Sequence, residues 1–193
     1  MEKVLYINAC IRQGDSRTLK IADVIIDELS KKYEIEEINL SLSKLQALNY
    51  NTINNRFNGI IDPLAIEYAN KFKDADKIVI SAPFWDMSFP SILKVFFENI
   101  SLNDITFKTG ADGNTIGNCK ANDLMLITTR GMLIEDESPL DQASSYLKAL
   151  GWLFGIPNYY IVSLNGADVL DQETVNKKIQ QTINKGLEIC KEF

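Results

Sequence analysis

The chain has 193 residues, 46% of them hydrophobic, enough for one complete core, and it reads as a single domain over residues 1–193. A net charge of −6 and a pI near 4.8 argue against a nucleic-acid binder, which must neutralise a polyanion with clustered Lys and Arg. The absence of histidine removes Ser-His-Asp and Cys-His nucleophiles and histidine metal sites, and Cys10, Cys119 and Cys190 have neither CxxC nor metal-ligand spacing.

Any chemistry must therefore use a cofactor, carboxylates, Lys, Tyr or the backbone. No metal site is expected. No apolar run is long enough to cross a bilayer, and Met1-Glu2-Lys3 leads into a strand without a signal-peptide core, so a cytoplasmic protein with no membrane span is expected.

Strand and helix signals alternate along the chain. The apolar run at 3–7 is a strand, and Leu19, Ala22, Ile26 and Leu29 mark a helix near 17–32. Residues 34–40 form a second, partly exposed strand. The Asn-rich stretch from about 41 to 60 reads as a long polar loop, followed by a helix near 62–73. A buried strand at 77–82 runs into PFWDMSFP, and a helix spans 91–100. The run at 108–121, with its Gly and Asn content, reads as a loop shaping the pocket or as a mobile turn. Strands at 123–129 and 159–163 flank a helix near 139–154, and a helix from about 172 to 191 closes the chain. Five such strands predict an α/β, flavodoxin-like, doubly wound parallel sheet of order 2-1-3-4-5 with helices on both faces.

In such a sheet a ligand sits beyond the carboxyl ends of the strands, which selects three turns. The first, NACIRQGDSRT, lacks G-x-G-x-x-G and G-K-[ST], which argues against a dinucleotide Rossmann site or a nucleoside triphosphatase. Ser16, Thr18 and the charge of Arg17 or Arg12 suit one terminal phosphate at a helix amino terminus, while the plainer role of Ser16 or Asp15 is a helix cap. The second turn puts Phe84 and Trp85 just past a buried strand, suited either to packing or to a flat aromatic ligand; Phe89 is assigned to the core. The third, Thr128-Thr129-Arg130-Gly131-Met132, offers hydroxyls, N–H groups and a glycine where backbone can approach a ring edge, and Arg130 also suits an ion pair. A phosphate end and a polar-edged aromatic slot together match flavin mononucleotide.

KVLYINACIRQGDSRT, PFWDMSFPSILKVFFENI, ITFKTG and ITTRGM, in that order over most of residues 3–163, resemble the FMN-dependent NAD(P)H:quinone oxidoreductase and azoreductase group of flavodoxin-like proteins. The resemblance implies that Ser16, Arg17 and Thr18 hold the FMN phosphate, with Cys10 beside them where many relatives carry serine. It implies that Pro83, Phe84, Trp85, Asp86 and Met87 wrap the isoalloxazine, and that Thr129, Arg130, Gly131 and Met132 meet its pyrimidine edge. By the same resemblance, NADH or NADPH reduces the flavin by hydride transfer, and a quinone, azo compound or nitroaromatic, a small aromatic acceptor, then takes its place in a ping-pong cycle. Arg130 is the expected catalytic residue, stabilising charge on the reduced ring. A homodimer with flavin sites at the subunit interface is also implied. The alternatives are a flavodoxin-type electron carrier and a flavin-less flavodoxin-like regulatory module.

Overall fold

The computed structural model describes residues 1–12 and 14–193. In chain order the elements are β1 (Lys3–Asn8), α1 (Arg17–Ser30), β2 (Glu34–Asn39), α2 (Tyr50–Phe57), α3 (Pro63–Asp74), β3 (Lys77–Ser81) and α4 (Ser91–Ile100). They continue with β4 (Phe107–Thr109), β5 (Thr115–Gly117), β6 (Asp123–Thr129), α5 (Gln142–Phe154), β7 (Asn158–Leu164) and α6 (Gln172–Glu192).

Five strands pair in parallel in the order β2-β1-β3-β6-β7, which is the expected 2-1-3-4-5 arrangement once the small β4–β5 hairpin is set aside. The strand period of two divides their apolar side chains between the faces. Leu5, Ile7, Ile78, Ile80, Leu124 and Leu126 pack under α3, α4 and α5 through Phe72, Phe96, Phe97 and Phe154. Val4, Tyr6, Val79, Met125, Ile127 and Val162 face α1 and α6 through Ile21, Ile25, Leu29 and Ile183. The central strands are apolar on both faces because both are covered, whereas β2 at the edge keeps Glu34, Glu36 and Glu37.

Two stretches differ from the sequence expectation. The polar loop at 41–60 contains α2, which buries none of its own side chains. It is started by a capping box between Asn49 and Thr52 and tied down by Arg56, which donates to the carbonyls of Glu98 and Asn99 and to Asn99 Oδ1. The run at 108–121 holds an antiparallel hairpin, β4–β5, turned by Asp112 accepting from Asn114 and by Gly113 at positive φ. Gly117 lies so close to the backbone at Phe154 and Gly155 that any Cβ would overlap it, which seats the hairpin on the end of α5. Among the described residues no helix is long and apolar enough to cross a membrane.

Candidate functional site

The turns after β1, β3, β6 and β7 meet around one cleft of about 390 Å³ at the carboxyl edge of the sheet. Its polar end is built on the start of α1. Ser16 is the N-cap, with Oγ accepting from the Leu19 N–H at 3.2 Å, and it also lines the cleft. The N–H groups of Arg17 and Thr18 have no partner among the described residues and belong to the open amino-terminal turn. The hydroxyls of Thr18 and Thr129 are hydrogen-bonded at 2.7 Å, fastening α1 to the end of β6. Arg17 pairs with Asp168, its Nη1 2.6 Å from Oδ1, while Arg12 and Asp15 complete this end.

Cys10 forms the floor. Its N–H donates to Asn8 Oδ1 at 3.0 Å, and Sγ lies 3.7 Å from Ser81 Oγ, which is itself hydrogen-bonded to the Tyr6 hydroxyl. Burial pushes the thiol pKa up, against hydrogen bonds involving Ser81 and Ser16. A buried thiol with a raised pKa is a packing group and a weak donor, not a nucleophile. No two of the three cysteines are joined in a disulfide.

The other end is aromatic. The Phe84 N–H donates to the Thr129 carbonyl at 3.0 Å, extending the register of β3 and β6 past their ends. Trp85 and Ser88 exchange two backbone hydrogen bonds, closing a tight turn in which Asp86 and Met87 both have positive φ. Asp tolerates that conformation; Met rarely adopts it. The strain is held by the Gln142 N–H, which donates to the Met87 carbonyl at 3.1 Å, and the Asp86 and Met87 N–H groups are left without a partner among the described residues. Trp85 stays 41% exposed, whereas Phe84 is buried against the cleft wall. Phe89 is in the core, edge-on to Tyr146, as expected.

Of the residues singled out from sequence, Cys10, Ser16, Arg17, Thr18, Pro83, Phe84, Trp85, Thr129 and Gly131 line the cleft together. Asp86 and Met87 stand next to it in the strained turn, and Met132 is exposed beyond its lining. Arg130 stands apart from this lining. Its side chain is 0% exposed and lies away from the cleft, with Nη2 2.7 Å from Asp141 Oδ2 and Nη1 bonded to Asp136, Asn165 Oδ1 and the Ile134 carbonyl. The guanidinium carbon is 5.2 Å from the centre of the Phe84 ring. Its charge is thus neutralised by two carboxylates inside the protein, and it braces the loops after β3, β6 and β7 from behind.

Burial opposes ionisation of Asp141, but the Ser144 hydroxyl and N–H, the Glu137 N–H and the Arg130 charge outweigh it, so its pKa is lowered. The sequence reading passed over Ala167 and Asp168, which line the cleft from the turn after β7. The rule that ligands sit beyond the carboxyl ends of the strands applies to that strand as well, and it was the available signal.

The profile of the flavodoxin-like fold family matches residues 2–188. Over the full length of both chains, the sequence is 35% identical to the FMN-dependent NADH:quinone oxidoreductase of Clostridium perfringens strain ATCC 13124. The chain belongs to the family of flavodoxin-like quinone oxidoreductases. It is also 35% identical, again over both full lengths, to the FMN-dependent NADH:quinone oxidoreductase of Clostridium beijerinckii. Among solved structures, azoreductase from Bacillus anthracis str. Sterne superimposes with a TM-score of 0.84 at 20% identity, covering all of both chains. An FMN-dependent NADH-azoreductase from Bacillus anthracis str. Ames Ancestor, in complex with FMN, gives 0.84 at 24% identity over 100% of this chain and 99% of that one. At these identities the structures establish the shared fold of the family.

Proposed function

We propose that this chain is an FMN-dependent NADH:quinone oxidoreductase that also reduces azo compounds or nitroaromatics. The observation that carries the reading is the polarity of the cleft: a helix start with Ser16 and Arg17 at one end, and Phe84, Trp85 and a turn whose N–H groups have no partner among the described residues at the other. Its support from relatives is the name FMN-dependent NADH:quinone oxidoreductase, borne by proteins that match the whole chain.

The donor set fits the cofactor. A phosphate needs N–H groups, a hydroxyl and a cation, and the Arg17 and Thr18 N–H groups, Ser16 and the two arginines provide them. A flat ring needs an apolar wall and edge donors; Phe84 and Trp85 supply the wall, and the N–H groups of Asp86 and Met87 the donors. Gly131 lies beside Thr129 in the lining, and the space its side chain would take is filled by the Asp168 carboxylate.

FMN held between Ser16, Arg17 and Thr18 at one end and Phe84 and Trp85 at the other would supply hydride and electron-transfer chemistry between NADH or NADPH and the second substrate, in a ping-pong cycle. The chain's own part is to orient and to shield. The Asp86 and Met87 N–H dipoles are fixed by the strained turn before any ligand arrives and so favour negative charge developing at that edge. Trp85 keeps water from one side. With its guanidinium tied to Asp141 and Asp136, Arg130 acts by bracing Phe84 and the loop at 131–141, not by touching the ring.

The apolar side chains of Trp85, Met87, Met132, Leu133 and Leu140 are all exposed on the strand-end loops, an arrangement suited to burial by a second copy in a homodimer. Dependence on NADH suits a cytoplasmic enzyme. Anaerobic addition of NADH, then NADPH, to the FMN-loaded protein tests the reading. Bleaching of the flavin band is expected; bound flavin that stays oxidised would instead favour an electron carrier with a protein donor.

A further inference from the structure

The ion pair between Arg17 and Asp168 stands in the lining at the polar end of the cleft, the end to which the FMN reading assigns the phosphate. Asp168 is held there by backbone. Its N–H donates to the Gly131 carbonyl at 3.0 Å, and the neighbouring Ala167 and Gly166 N–H groups bond the carbonyls of Arg130 and Met132, lacing the turn after β7 to the turn after β6. The carboxylate lies against Gly131, where a methyl group in place of the glycine hydrogen would overlap Oδ2. A built place for the carboxylate, and a cation reaching it from α1, are two separate observations.

We propose that Asp168 holds the place of a ligand's phosphate at Arg17 and thereby sets how strongly the cleft prefers a phosphorylated flavin over the same flavin without phosphate. The inference rests on the FMN reading of the cleft. An incoming phosphate must draw Arg17 away from Asp168 and then lie beside a carboxylate that has lost its partner, so like charges meet at short range. Both effects weaken FMN binding, and neither acts on riboflavin, whose ring and ribityl chain are the same but uncharged. Attraction from Ser16, Arg17 and the helix start is therefore set against a repulsive element in the same site, the arrangement by which a binding site adjusts discrimination. Solvent screening keeps the effect moderate, since the two side chains are 38% and 68% exposed.

Titration of the full chain with FMN and with riboflavin, followed by flavin fluorescence, tests this with the wild type, Asp168→Asn, Arg17→Gln and the double variant. Asparagine has the shape of aspartate, so packing against Gly131 is kept. Asp168→Asn is expected to tighten FMN binding on the order of five- to tenfold and to change riboflavin by less than about twofold. In the Arg17→Gln background the same substitution is expected to tighten FMN by only about twofold, because the two residues act on each other. An unchanged preference for FMN over riboflavin in Asp168→Asn overturns the proposal. So does weaker FMN binding, which would make Asp168 a ligand of the ribityl hydroxyls. If none of the four proteins binds either flavin, the FMN reading itself fails. Thermal unfolding with inorganic phosphate then decides for Asp168: a larger rise in Tm for Asp168→Asn than for wild type supports its competing role, and an equal rise overturns it.

Discussion

Arg17 and Arg130 both follow a strand of the same sheet, and both pair with aspartate, yet they do opposite work. Arg17 sits at the open, polar end of the cleft with one exposed partner. Arg130 is sealed behind the cleft with two carboxylates, an amide oxygen and a carbonyl, its Nε finding no partner among the described residues. A guanidinium open to water can exchange its partner for a ligand; one enclosed by fixed acceptors cannot. Position along a strand end therefore does not decide whether an arginine is open to a ligand. Burial and the number of local carboxylates do.

The largest expected effect separates the two by stability. Arg130→Met strands Asp141 and Asp136 without their cation and is expected to cost about 3–5 kcal/mol in urea unfolding, whereas Arg17→Gln costs under about 1 kcal/mol. Equal losses would erase the distinction.

The same cluster predicts an acid dependence. Because the folded-state pKa of Asp141 is lowered, its contribution is complete above the ordinary carboxylate value and is lost as pH falls through the folded value. Wild-type stability should accordingly drop more steeply on acidification than that of Asp141→Asn. Parallel pH profiles would remove Asp141 from the cluster's energetics.

At the cleft itself the order reverses, and binding is the measure. Arg17→Gln is expected to weaken FMN by about tenfold while leaving riboflavin nearly unchanged, since one charge-assisted contact is lost. Trp85→Ala is expected to weaken both flavins by about tenfold, because the ring and not the phosphate loses its wall. A Trp85 variant that discriminated between the two ligands would contradict the assignment of the two ends. The smallest effect is expected at Thr18→Val, where loss of the hydrogen bond to Thr129 costs about 1 kcal/mol of stability.

The sheet was legible because its central strands are uninterrupted apolar runs and the helices between them carry a period of 3.6, so that even α4 was bounded at Ser91 and Ile100. Helix α2 was not, because it buries none of its own side chains, leaves Tyr50, Ile53 and Phe57 exposed, and owes its place to one cap and to Arg56. The three-residue strands of the β4–β5 hairpin are too short for alternation to register. At the site, residues announced by unusual type in a turn, such as Phe84 and Trp85, could be found from sequence. The fate of Arg130 could not: its partners lie 6 and 11 residues further on, in a loop whose folding back is a tertiary event. Asp168 lies 151 residues from Arg17, and nothing local to either marks the pair.

The most direct test of the two-ended cleft is a crystal structure of the chain grown with FMN. The phosphate should lie within hydrogen-bonding distance of Ser16 and the Arg17 and Thr18 N–H groups, the ring should stand against Trp85, and Arg130 should remain paired with Asp141. A phosphate bound away from the start of α1, or an Arg130 guanidinium turned out against the flavin, would contradict the division of labour between the two arginines.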